Sequence, residues 1–334
     1  MKPPSMKKSA LQMSVIAALG MFSLWSQTFA SEQKLAIAGV QNVQGSLVEN
    51  QTLIEASSQN IVNSLCREIE QKLGSVKKGD CVGRGFKGTG GYSVNGQPIL
   101  EREFGPINGR TPLARVLLIG GIHGDEYSSV SIVFKFMKKL EQHHSGLFHW
   151  KLVPLMNPDG LLQKKSQRMN VRGVDLNRNF PTPNWHEESH HYWVKKTRKN
   201  PRRYPGPSPL SEPESQWLAQ AISEFQPDVI VSIHAPYGIL DFDGPQKIAP
   251  KQFGELHLNL LGTYPGSLGN YAGVHNEIPV VTIELPYAGI MPTKRETRNI
   301  WVDLVRWLIS NSNNKSTTRQ AKVETKKDDG LDPS

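Results

Sequence analysis

The stretch Leu117–Leu118–Ile119–Gly120–Gly121–Ile122–His123–Gly124–Asp125–Glu126 constrains this chain more than any other. An apolar run of that kind fills a buried strand. It stops at two glycines, then presents a histidine and, three residues on, a glutamate. One turn of backbone can aim both side chains at a common point. Imidazole nitrogen and carboxylate oxygen are both Zn2+ ligands, and a catalytic zinc takes three protein ligands and keeps one position open. What the chain must still supply is a third ligand, a base and a group to stabilise developing charge.

Around this stretch, strand and helix patterns alternate. Arg115–Gly120 predicts a core strand, and Tyr127 to about Leu140 a helix burying Val130, Ile132, Val133, Phe136 and Met137. Trp150–Met156 predicts a second buried strand, ended by the turn signal Asn157–Pro158–Asp159–Gly160. A helix is predicted from a Ser211 N-cap through Phe225, with acidic residues in its first turn. Strands follow at Val229–Ile233 and Val280–Leu285, and a closing helix from Thr293 to about Ile309. This order predicts an α/β fold, a mixed and largely parallel twisted sheet with helices on both faces. In such sheets functional sites form at strand ends.

The 334 residues divide into four parts. Residues 1–30 read as a signal peptide: Lys7 and Lys8, an apolar run from Ala10 to about Trp25, and a small-residue end at Ala30. The run is short for a membrane span, so no stable insertion is expected after cleavage. Residues 31–90 read as an N-terminal extension with helical spacing between Leu47 and Leu73. Export implies an oxidising compartment, so Cys66 and Cys81 are expected to form a disulfide. Residues 91–311 form the catalytic domain, entered through a hairpin at Tyr92–Ile99 with an Asn-Gly turn, and 312–334 a disordered polar tail.

The formal charge is +9, of which Lys2, Lys7 and Lys8 belong to the leader. The aromatic residues are not interleaved with basic ones as a nucleic-acid platform requires. An anionic small substrate or polymer fits the balance better, and nothing here sets the oligomeric state.

Polar residues stand at four strand ends. His123 with Glu126 is the first. His234, directly after Val229–Ile233, is the second and completes a three-ligand open zinc site. Glu284, inside Thr282–Ile283–Glu284–Leu285, is the third. A carboxylate in an apolar strand is paired, neutral or functional, and beside zinc it can move the protons of a hydrolysis. The fourth is the stretch Arg168–Pro181, whose basic residues can bind a carboxylate or stabilise an oxyanion. Arg172 reads as a solvated loop residue, whereas Asn177 and Arg178 sit between apolar Leu176 and Phe180.

The set His123–Glu126, Asp175–Leu176–Asn177–Arg178–Asn179–Phe180–Pro181, His234–Ala235–Pro236 and Glu284–Leu285–Pro286 resembles the M14 zinc carboxypeptidase family, over about residues 90–310. Together with Pro205–Gly206–Pro207 running into Ser211–Glu212–Pro213–Glu214, and with Pro265–Gly266–Ser267–Leu268–Gly269, these motifs look closest to the murein peptide amidase A branch. The resemblance implies one Zn2+ per chain on His123, Glu126 and His234, with Glu284 as general base and acid. It implies that Arg168 polarises the scissile carbonyl and that Asn177 and Arg178 hold a substrate carboxylate. It makes Tyr264 the nearest candidate for a tyrosine that closes over the substrate. It implies a peptidoglycan-derived peptide, cut at the γ-D-glutamyl–meso-diaminopimelate bond. Ordinary α-linked peptides and N-acyl amino acids are the alternative substrates, and a non-catalytic murein-binding protein the third reading. The leader and the segment 31–90 depart from the cytoplasmic members of that branch and place the expected activity in the periplasm. Lys195, Lys196, Arg198, Lys199, Arg202 and Arg203 form either a contact for acidic murein or a solvated loop.

Overall fold

The structure is a computed structural model and describes residues 56–328. The leader, residues 31–55 and the last six residues lie outside the described range.

Among the described residues, nine strands and six α-helices follow in chain order. Residues 56–72 form helix α1. The hairpin β1 (Lys87–Tyr92) and β2 (Pro98–Phe104) comes next, then β3 (Ala114–Ile119), α2 (Tyr127–His143), β4 (Phe148–Val153) and the short α3 (Pro158–Leu162). Helices α4 (Trp185–Lys195) and α5 (Pro213–Phe225) precede β5 (Val229–His234) and β6 (Ile239–Asp243). The small ribbon β7 (Gln252–Phe253) and β8 (Leu256–His257), then β9 (Val280–Glu284) and α6 (Lys294–Asp328), complete the order.

Seven strands make one sheet in the order β1-β2-β4-β3-β5-β9-β6. The central four, β4, β3, β5 and β9, run parallel, with antiparallel pairs at both edges. The mixed, centrally parallel sheet expected from the alternation of elements is thus observed.

Alternation along each strand splits the core in two. On β3, Val116 and Leu118 join one cluster with Trp150, Val231, Ile283 and Phe242, covered by Val133, Phe136 and Met137 of α2 and Leu304 and Leu308 of α6. Leu117 and Ile119 point the other way and join Ile230, Val280 and Leu218, Ile222 and Phe225 of α5. Each such side chain contributes about 1.5–3 kcal/mol on burial. With both faces covered, polar side chains reach solvent only where the covering ends.

The Asn-Gly hairpin is present: Gly96 has a φ of 79°, and the Ser93 amide donates to the Gln97 carbonyl at 2.8 Å. Cys66 and Cys81 are joined. Val62, Leu65 and Ile69 of α1, and Leu73 just after it, pack into the same cluster as α2, and Lys138 binds Asp80 at 2.5 Å. From Gln59 on, this segment therefore shares the core of the domain that follows it.

Two local expectations change. Helix α5 is capped by Glu212, not Ser211. The Ser211 hydroxyl instead donates to Glu212 at 2.9 Å and accepts from Asn179 at 3.0 Å. The closing helix runs on to Asp328, through most of the stretch expected to be a disordered tail. Lys, Gln, Ala and Glu in that stretch are good helix formers, and their backbone propensity favours the continued helix. Among the described residues no helix is long and apolar enough to cross a membrane.

Candidate active site

At the carboxyl ends of the parallel strands, the face packed on α5 turns polar. On β5 the sequence Ile230–Ser232–His234 occupies that face, and on β9 Val280–Thr282–Glu284. Ser232, His234, Val280, Thr282 and Glu284 line a cavity of about 420 Å³ together with the loops after β3 and β4.

The three residues read as ligands converge. His123 Nδ1 lies 2.8 Å from Glu126 Oε1, and His234 Nδ1 lies 3.1 Å from both Glu126 Oε2 and His123 Nδ1. All three side chains are buried. Two elements place them: His123 and Glu126 lie just before α2, Glu126 at its N-cap, and His234 ends β5. The loop carrying the first two lies so close to α3 that a Cβ on Gly124 would fall 2.3 Å from the Gly160 carbonyl carbon. Only glycine permits that approach.

Two imidazole nitrogens facing each other and one carboxylate form a donor set that a metal completes. One ligand atom from each lies within 4.8 Å of the others. Two nitrogens, one carboxylate and an open side toward the cavity fit a catalytic zinc site. Burial pushes the Glu126 carboxyl up, but His123 and His234 outweigh it and hold it far below the usual carboxylate range.

Glu284 stands in register with His234 on the neighbouring parallel strand. It is buried, and its Oε2 has no hydrogen-bond partner among the described residues. Burial and then the Glu126 charge push its carboxyl up, against the pull of the two histidines. A carboxyl with one free oxygen of this kind is poised to take and return a proton.

Arg168 lies beside the triad. Its Nε donates to Asp175 Oδ2 at 3.0 Å and its Nη1 to Glu126 Oε1 at 3.4 Å. The backbone carbonyl of Arg168 accepts from the Asn157 side chain at 3.1 Å. Asn157 also receives the Gly160 amide at 2.8 Å, so one buried amide ties the end of β4 to the Arg168 loop.

Arg178 and Asn177 line the cavity with Tyr264. Arg178 is buried, its Nε has no partner among the described residues, and its guanidinium lies 4.5 Å from the Tyr264 ring centre. Burial pulls its pKa down to about 10, helped by Arg168 and Arg203 and opposed by Asp175. A desolvated guanidinium with an idle donor is a receptor for a carboxylate. Asn177 Oδ1 accepts the Leu268 amide at 2.8 Å, which fixes the loop bearing Tyr264. Of the basic stretch after α4, Arg202 and Arg203 reach the cavity. Arg202 is bound to Asp125 at 2.7 Å.

The structure brings all eight candidate residues into one cavity. It adds Asp175, which the sequence reading quotes only as part of a motif: fully buried, it lies 3.1 Å from His123 Nε2. Arg168 and His123 hold its carboxyl well below the ordinary range despite burial. It also adds Asp241 and Asp243 on β6, whose apolar–polar alternation Leu240–Asp241–Phe242–Asp243 is the signal that was there to be used.

Residues 86–240 match the family described as zinc carboxypeptidase. The chain is 32% identical to murein peptide amidase A of Escherichia coli over 201 residues, 57% of this chain and 79% of that protein. It is 29% identical to the Vibrio campbellii protein of the same name over 202 residues, 59% of this chain and 77% of that one. Its fold is similar to that of carboxypeptidase A from Helicoverpa armigera, with a TM-score of 0.54 at 17% identity over 68% of this chain and 69% of that one.

Proposed function

The chain belongs to the zinc carboxypeptidase family, alongside the murein peptide amidase A branch, and we propose that it is an exported amidase cutting the γ-D-glutamyl–meso-diaminopimelate bond of murein peptides. As a member of that family it is a hydrolase of peptide bonds. One observation carries the finer reading. A buried His123–Glu126–His234 donor set and a Glu284 with one free oxygen share a cavity with a desolvated Arg178 whose Nε is free. Such a cavity takes a peptide whose last residue bears a free carboxylate and places the preceding amide at the donor set.

One Zn2+ per chain, held by His123, Glu126 and His234, would acidify water and polarise the amide carbonyl. Glu284 accepts the proton of the attacking water and returns it to the leaving amine. Arg168 stabilises the negative charge that develops on the carbonyl oxygen. Asn177 and Arg178 hold the carboxylate of the residue released. Tyr264, stacked on Arg178, covers that residue. Export through the leader 1–30 would place the enzyme in the periplasm, and the Cys66–Cys81 disulfide fits that compartment.

Residues 31–334 incubated with L-Ala–γ-D-Glu–meso-diaminopimelate, with products followed by mass spectrometry, test the reading. Chelator-sensitive release of free diaminopimelate is expected. No release from this peptide by zinc-loaded protein that cuts α-linked peptides would overturn the γ-D-glutamyl assignment. Purification from the periplasm with Ser31 as first residue is the expected result for export.

A further inference from the structure

A positively charged track leads out of the cavity, and the proposed reaction does not use it. Residues 195–203 hold Lys195, Lys196, Arg198, Lys199, Arg202 and Arg203 and no acid. The acids of α4, Glu187 and Glu188, stand in its first turn, at the other end of the helix. Lys195 is accounted for by its place in the last turn of α4, where a cation complements the helix dipole. Arg202 is held by Asp125 at 2.7 Å. The rest have no such account. The side chains of Lys196, Arg198, Lys199 and Arg203 make no hydrogen bond or ion pair with any described residue.

The stretch is nonetheless firmly braced. The Trp193 carbonyl accepts the Thr197 hydroxyl at 2.6 Å and the Lys199 amide at 2.9 Å, and its indole Nε1 donates to the Asn200 carbonyl at 2.8 Å. The Asn200 side chain accepts the Arg202 amide at 3.0 Å and opens the turn Pro201–Arg203. The Trp193 ring lies 4.9 Å from that of Tyr204, and the Tyr204 carbonyl accepts the Asp175 amide at 2.8 Å. The track is thus tied to the buried aspartate beside His123. Within this frame Arg198 and Lys199 have φ of 53° and 55°. Such backbone is costly for residues with a Cβ and ordinarily falls to glycine or asparagine. Here it carries two charged side chains, both exposed. A loop that only needs to be solvated requires neither the bracing nor cations at those two positions.

The relation of the track to the cavity sets the size of its partner. Asn200, Arg202 and Arg203 line the cavity, whereas Lys196, Arg198 and Lys199 lie outside its lining. A peptide that fills about 420 Å³ meets the first three and stops short of the others. An anion that meets the whole track extends beyond the cavity and carries its charge at intervals. The proposed function above supplies the identity of that anion, and this inference rests on it there. Stem peptides ending in diaminopimelate carry more carboxylates than ammonium groups, and in the polymer they recur along a strand.

We propose that residues 196–203 are a docking surface for polymeric murein: carboxylates of neighbouring stems lie along Lys196, Arg198 and Lys199 while one stem passes Arg203 into the cavity. The enzyme then acts on the polymer as well as on free peptide.

The test is co-sedimentation with purified insoluble murein of the mature protein carrying Glu284→Gln, which suppresses turnover, across a salt series. The same protein is compared with a variant that adds Lys196→Gln, Arg198→Asn and Lys199→Asn. Asparagine tolerates the left-handed backbone, so the charge is removed and the loop kept. The reference protein should sediment at low salt and be released as salt rises, because the contact is between exposed charges. The variant should bind roughly tenfold more weakly, with a flatter salt dependence. With Glu284 restored, the three substitutions should leave turnover of free L-Ala–γ-D-Glu–meso-diaminopimelate unchanged. Binding indifferent to salt, a variant that sediments as well as the reference, or an equal loss on the free tripeptide would overturn the proposal. So would charge-dependent binding to phosphatidylglycerol vesicles without binding to murein. Charge-dependent sedimentation with no release from the tripeptide by zinc-loaded wild type would overturn the amidase reading and leave the docking surface. Release from the tripeptide without sedimentation would do the reverse.

Discussion

Asp175 Oδ1 lies 3.1 Å from His123 Nε2, on the side of the ring opposite the nitrogen that faces Glu126 and His234. The same carboxylate receives Arg168 Nε at 3.0 Å and the Asn177 amide at 3.1 Å. One buried side chain thereby orients a metal ligand, the proposed oxyanion stabiliser and the start of the carboxylate-binding turn. Partners of this kind set the ligand's tautomer, and their loss typically weakens metal binding about 10–100-fold. Asp175→Asn should lower zinc affinity by that factor in a chelator competition. Unchanged affinity would assign Asp175 a purely structural part.

Glu284→Gln separates chemistry from metal binding. The glutamine keeps the shape and loses the ability to take a proton. Turnover should fall by about 100- to 10,000-fold, with zinc still bound at one per chain by elemental analysis. His234→Ala should lose the metal and the activity together. Retention of stoichiometric zinc in that variant would remove His234 from the ligand set.

Arg178 is buried beneath Tyr264 with an idle Nε. Replacement by methionine keeps the bulk and removes the charge. KM for a free-carboxylate peptide should rise by about 100-fold. The wild-type preference for that peptide over its C-terminal amide should vanish in parallel. A preserved preference would place the carboxylate elsewhere.

The parts of this site legible in the sequence were those that violate their surroundings. His234 and Glu284 stand out because each interrupts an apolar strand, and His123 with Glu126 because two ligands share one turn. The central parallel strands were legible for the same reason, since strands buried on both faces read as continuous apolar runs. β6 carries no assignment from the sequence, because aspartate is depleted in strands and two aspartates in five residues weaken the strand pattern. Asp175 was hidden for a different reason. It lies 52 residues from His123 along the chain, and the packing of the Arg168 loop onto the loop after β3 brings the two together. The extension of α6 escaped a reading that required apolar burial before assigning helix.

The pH dependence of stability should carry the mark of Glu214. This fully buried carboxyl receives the Val94 amide and the Asn170 side chain, each at 3.3 Å. Burial dominates, and Asp159 adds to it, so the group is pushed from 4.5 up to about 7. The folded state therefore holds a proton that the unfolded chain has already released between these two values. Stability from this group is full below pH 4.5 and is lost as pH rises through about 7. At 1.36 kcal/mol per pKa unit, the loss is about 3 kcal/mol. Glu214 shares Asn170 with Glu212, and Asn170 lies two residues from Arg168, so its ionisation also loads the loop that serves the active site. Denaturant melts between pH 5 and 8 should show wild type losing stability with rising pH. Glu214→Gln should flatten that slope over the same range, because a glutamine has no proton to lose. An equal slope in both proteins would mean that Glu214 ionises in the fold without strain.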